Sequence, residues 1–194
     1  MPQPSVHIQT PLGNLEFLVE SDDNQTLGVC IHAGSFQPKI PPGMSVLACY
    51  GVVLQVGAPN TVSDLKFKAI LKPNSKISGG AATGEGLEAL DWNNQNCVML
   101  VGTEDLENLK ARLHHSIVLP DNPFTYSVES LSIHIAEIPA GVSVSLHFIV
   151  AWNDLPETVE SSCWFAVDQS HASILSTVGA NPALKWDAAK RGAP

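Results

Sequence analysis

Apolar and polar side chains alternate at period two through most of this chain, the pattern of strands with one face buried. Ser5 to Glu20 reads as a hairpin, with "SVHIQ" and "LEFLVE" flanking a turn at Pro11 and Gly13. "TLGVCIHA" follows as a further strand. Met44 to Gly57, "MSVLACYGVVLQVG", is apolar on both faces and rich in Val, so it is expected as a central strand that Gly51 bends or bulges. In Thr61 to Lys72, Leu65, Phe67, Ala69 and Leu71 alternate with Lys66, Lys68 and Ile70, a half-buried strand. "CVMLVG" and "SCWFAV" read as two more strands. Pro73 to Trp92 breaks the pattern with Gly79, Gly80, Gly84 and Gly86 and is expected as a long surface loop. Those glycines lack the G-K-[ST] ending of a phosphate loop and the G-x-G-x-x-G spacing of a dinucleotide turn.

One segment switches to the helical period. In "TEDLENLKARLHH", Leu106, Leu109 and Leu113 form a single apolar stripe, acids gather at the start and bases at the end, and Thr103 is in place to cap. A helix over about 104–114, stripe inward on a sheet, is expected. A second, short helix is expected at "NPALKWDAAKR", with Asn181 as cap and Pro182 in its first turn. Many strands, few helices and no regular βα alternation predict a mainly β protein, an antiparallel β-sandwich or jelly-roll-like fold. No internal repeat or linker divides the chain, so residues 1–194 are expected to form one globular domain.

Composition narrows the function classes. The 19 acidic against 10 basic residues give a formal charge of -9, with no basic patch to neutralise phosphates, so nucleic acid and anionic membranes are not expected partners. The first residues show neither a basic n-region nor an apolar h-region, and no run reaches the ~18 apolar residues of a membrane span. A cytoplasmic protein is expected. Cys30, Cys49, Cys97 and Cys163 lie far apart without a C-x-x-C and read as free thiols, mostly buried.

Leu131 to Trp152, "LSIHIAEIPAGVSVSLHFIVAW", carries the most specific candidate chemistry. It reads as two strands around a tight turn, Leu131, Ile133 and Ile135 on one face and Val144, Leu146, Phe148 and Val150 on the same face of the partner. If Ala140 and Gly141 are the loop, His134 lies directly opposite His147. With a longer loop the two lie diagonally. Neighbouring imidazoles on a sheet face offer two ligands to a divalent transition metal, Zn²⁺ or Fe²⁺, although a site needs a third. Cys30 and His32 share a strand face as C-x-H, and Glu137, Asp168 and His171 lie near strand ends. "IPAG" followed by His147 and Asn153 resembles a motif of the metal-binding cupins, with gaps of five residues at each step, longer than in that family, and without its paired H-x-H. The resemblance adds to the metal reading and assigns no family.

Other constellations are sparser. There is no G-x-S-x-G elbow and no H-E-x-x-H helix. Asp168, Ser170 and His171 follow "SCWFAV" and are expected at a sheet end, where a loop can carry a binding site. Trp152, Asn153 and Asp154, at the end of a strand, have the composition of a contact surface, or of a core plug. Two functions are therefore expected from the residues. The first is a non-catalytic module that binds a protein or assembles with itself as a homo-oligomer, steered by the acidic segments Glu20 to Asn24 and Asp154 to Glu160. The alternative is a small metal-dependent, cupin-like enzyme built on His134 and His147.

Overall fold

The computed structural model describes residues 4–21, 27–156 and 162–180. Along the chain these form β1 (Ser5–Thr10), β2 (Gly13–Ser21), β3 (Gly28–Ser35), β4 (Ala48–Gly57), β5 (Val62–Pro73), β6 (Ser78–Gly84), β7 (Leu87–Asn93) and β8 (Cys97–Glu104). Then come α1 (Leu106–Arg112), β9 (Phe124–Tyr126), β10 (Ser130–Ile138), β11 (Ser143–Asp154), α2 (Ser162–Val167) and α3 (His171–Thr177). The strands form two antiparallel sheets, a five-stranded one in the order β1-β2-β5-β10-β9 and a six-stranded one in the order β3-β4-β11-β8-β7-β6. The expected antiparallel sandwich is what the chain forms.

The core between the sheets is built by alternation. Phe17, Phe67, Trp92 and Phe148 are fully buried there, and the Phe17 and Phe148 rings meet across the sheets at 5.7 Å. On β4 the even positions Val52, Leu54 and Val56 face this core. Val53, between them, faces a second apolar cluster with Ile149, Ala151, Cys163, Ala166, Val167 and Ile174. That cluster lies on the outer face of the six-stranded sheet, beneath α2 and α3. Burial on both faces explains the long unbroken apolar run of β4, which lies inside the sheet as expected.

The β1–β2 hairpin forms with Thr10 opposite Gly13. On β5, Leu65, Phe67, Ala69 and Leu71 are buried and Lys68 reaches Glu20 at the surface. Leu109 of α1 is buried in the main core, with Leu106 and Leu113 packed against it, so the predicted stripe does point inward. Asp105 rather than Thr103 caps this helix, accepting from the Asn108 N–H at 2.9 Å.

Four local expectations are corrected. Residues 131–152 do not form a hairpin: β10 belongs to the five-stranded sheet and β11 to the six-stranded one. Both apolar faces are buried equally well by facing each other across the sandwich, so alternation could not separate a hairpin from a corner crossing. The glycine-rich stretch is not a loop but the edge strand β6, paired with β7 around Glu85 and Gly86, the latter at φ 83°. "SCWFAV" is the helix α2, its Cys163, Ala166 and Val167 buried at i, i+3 and i+4. Gly51 serves close approach: a Cβ there would lie 2.9 Å from Ile174 Cγ2 of α3. The second helix, expected from Asn181, lies outside the described residues, as do Asp22 to Thr26 and the greater part of the second acidic segment. Among the described residues no helix is long and apolar enough to cross a membrane.

Candidate functional site

On the outer face of the six-stranded sheet, polar side chains stand beside the apolar cluster under α2 and α3. The β11–β8 register sets Ile149 opposite Gly102, and stepping two residues along each strand brings His147 beside Glu104. Gly102 has no side chain where α2 descends, since a Cβ there would meet Val167 Cγ2 at 2.9 Å. From above, α3 contributes its first residue, His171, just after Ser170, whose hydroxyl accepts from the Ser173 N–H. His147 and His171 are both buried, 1% and 6% exposed, in the part of the fold where unpaired polar groups cost most.

Their rings meet through Nδ1 and Nδ1 at 2.9 Å, so one imidazole donates and the other accepts. Burial is the main force holding both in the neutral form. It pushes His171 down to about 3 and His147 well below the usual histidine range, and the Arg112 guanidinium adds to both shifts. His171 itself also lowers His147, while a backbone hydrogen bond with Gln169 works the other way. Neutral imidazole is the form that ligates metals. The contact with Gln169 is the kind of outer support that fixes a ligating ring. Thr103 anchors the strand beneath, its hydroxyl donating to the His147 carbonyl at 2.7 Å.

Glu104 completes the group. One ligand atom from each of Glu104, His147 and His171 lies within 4.8 Å of the others. Arg112, from the last turn of α1, holds the Glu104 carboxylate: its Nε is 3.1 Å from both oxygens and its Nη2 donates to Oε1. Its Nη1 donates to the Ser145 carbonyl at 2.7 Å. Two clefts, each of about 440 Å³, flank this cluster, and Arg112 and His171 line both.

Two imidazoles and a carboxylate suit Zn²⁺ or Fe²⁺ chemically. A tetrahedral ion with ~2.0–2.1 Å bonds to nitrogen spaces its ligands about 3.4 Å apart, so the Nδ1 pair has to open by about half an ångström. Glu104 would supply a carboxylate oxygen as the third ligand, with Arg112 holding the group in place.

Of the residues that the sequence pointed to, His147 and His171 meet here and His134 does not. His134 stands on the other sheet, opposite Lys66, with its Nε2 3.2 Å from Asp64 Oδ1. The pairing of His134 with His147 was a consequence of the hairpin and falls with it. Asp168 is exposed and lines one of the clefts. Trp152 is 8% exposed and stacks on Tyr50 at 5.5 Å. Asn153 donates to the Ser45 carbonyl at 3.0 Å, and Asp154 is exposed. Cys30 and His32 share a face as expected, Sγ to Nε2 at 3.2 Å. None of the four cysteines is in a disulfide, and burial raises Cys49 to about 12 and Cys97 to about 11. In the sequence, Glu104 and Arg112 signal only charges suited to the two ends of a helix.

No family model and no curated protein matches the chain. Among solved structures it is similar to one described as "Putative kojibiose phosphorylase from human microbiome", at 7% identity and a TM-score of 0.42. The match covers 85% of this chain and 20% of that one, so this chain spans about a fifth of its length.

Proposed function

We propose that this protein binds a divalent transition metal, Zn²⁺ or Fe²⁺, through Glu104, His147 and His171, and works as a small metal-dependent enzyme. The observation that carries the reading is the convergence of two buried imidazoles and a carboxylate within 4.8 Å. Three protein ligands leave a coordination position open, the arrangement of catalytic rather than structural zinc. Here the flanking clefts give that position access to a water or a small substrate. The metal would polarise a bound oxygen or generate hydroxide from water. Titration of the chelator-treated protein with Zn²⁺ tests the reading. One ion per chain is expected, with binding abolished by His147→Ala or His171→Ala and kept by His134→Ala. Uptake that ignores the first two substitutions would end it.

A second reading, a module that pairs with a protein or with its own copies, draws on a different observation. Val128 is 76% exposed and Leu47 60%, and the edge strand β6 carries no charge to repel another strand. Sedimentation equilibrium across a wide concentration range tests the self-pairing form of this reading, which requires a species larger than the monomer; a monomer at every concentration would end that form.

A further inference from the structure

The two clefts beside the histidines differ in charge. The first is lined by Glu104 and Asp168 as well as Arg112. In the second, the wall runs through Gln55, Arg112, His114, Ser145 and His171, and Arg112 is the one permanently charged side chain among the described residues. Among the described residues no carboxylate lines this second cleft, so an anion entering it meets Arg112 without a facing negative charge from the wall. Its donors are also incompletely used. A guanidinium has five N–H groups, two on each terminal nitrogen. Glu104 takes the Nε–H and one from Nη2, and the Ser145 carbonyl takes one from Nη1. Among the described residues, one N–H is left on each terminal nitrogen. At the same place the Ser145 hydroxyl is buried with no hydrogen-bond partner among the described residues, a state that costs free energy unless a ligand relieves it.

We propose that this second cleft is a binding site for a small monocarboxylate, held by the two spare N–H groups of Arg112 and by the Ser145 hydroxyl. A planar carboxylate has two oxygens to set against the two terminal nitrogens of the fork. The Arg112 charge is already shared with Glu104, so the cleft favours a ligand with the least negative charge. Phosphate, carrying more charge, meets an acidic protein with one guanidinium already shared with Glu104. The site goes beyond the metal reading and does not require an ion, although a metal that drew charge from Glu104 would strengthen it.

The test uses chelator-treated full-length protein, which keeps its failure separate from failure of the metal reading. Sodium acetate is titrated against sodium chloride at matched ionic strength, following the Arg112 Nε–H and Ser145 amide resonances by NMR. Saturable shifts in the millimolar range are expected with acetate and not with chloride. Arg112→Gln removes the donors but also strips Glu104 of its partner, so Ser145→Val, which keeps Arg112, is the second variant. It should weaken acetate by about tenfold or more, the order expected when a hydrogen bond to a charged group is lost. Shifts that fail to saturate, or that are unchanged in Ser145→Val, overturn the proposal. Phosphate binding more tightly than acetate at the same resonances overturns the assignment to a carboxylate.

Discussion

Acid should act on this fold first through the buried His147–His171 contact. Taking the ordinary histidine value of 6.5 for the unfolded chain, His171 drops to about 3 on folding. The folded state therefore resists a proton that the unfolded chain accepts. Stability is complete above about pH 6.5 and is lost as the pH falls toward 3, the direction required when a base has a depressed pKa. At about pH 5 the loss from His171 alone is 1.5 pH units at 1.36 kcal/mol each, or roughly 2 kcal/mol. For a chain of this size that corresponds to a fall in Tm of about 4–8 °C. His147 adds to the loss in the same direction. Urea unfolding at about pH 7.5 and about pH 5 with chelator present, for the native protein and for His171→Gln, isolates the effect. The variant keeps a polar side chain beside His147 and does not titrate. It should lose about 2 kcal/mol less than the native protein across that interval. Equal losses in the two proteins would refute the claim that His171 is held neutral by its surroundings.

Two further outcomes follow from how the site is supported. Gly51→Leu places a side chain where Ile174 Cγ2 already stands 2.9 Å from the Cβ position, so it should cost about 1–3 kcal/mol in urea unfolding and weaken Zn²⁺ binding by displacing α3. Leu109→Ala empties a fully buried position under α1 and should cost about 2–5 kcal/mol; unchanged stability would mean that α1 is not anchored through its predicted stripe.

The architecture was legible in the sequence because period-two alternation specifies which side chains are buried. β2, β5 and β11 each read correctly, and so did the inward face of α1. Alternation does not say what the buried face meets. His134 and His147 were joined on that account, since β10 and β11 present the same parity whether they pair edge to edge or face each other across a core. β6 was hidden because Gly and Ala have little strand preference, and only its pairing with β7 makes it a strand. α2 carried a helical signal in Cys163, Ala166 and Val167, but six residues are too few for periodicity to outweigh an apolar run.

The site was half legible. His147 and His171 each stand out in the sequence for a local reason. Their meeting depends on α3 folding over a sheet whose edge-to-edge order no local pattern encodes. Glu104 was missed because its strand continues to the point where the helix begins. Counting parity forward from Leu100 and Gly102 puts it on the face that those residues share, although only the strand order sets it beside His147.

The most direct test is a crystal structure of Zn²⁺-soaked protein, with anomalous difference maps at the zinc edge. The account predicts one strong peak bonded to His147 Nδ1, His171 Nδ1 and a Glu104 oxygen at about 2.0–2.2 Å. Peaks confined to surface histidines such as His114 and His115, with the buried imidazoles still in contact, would contradict it.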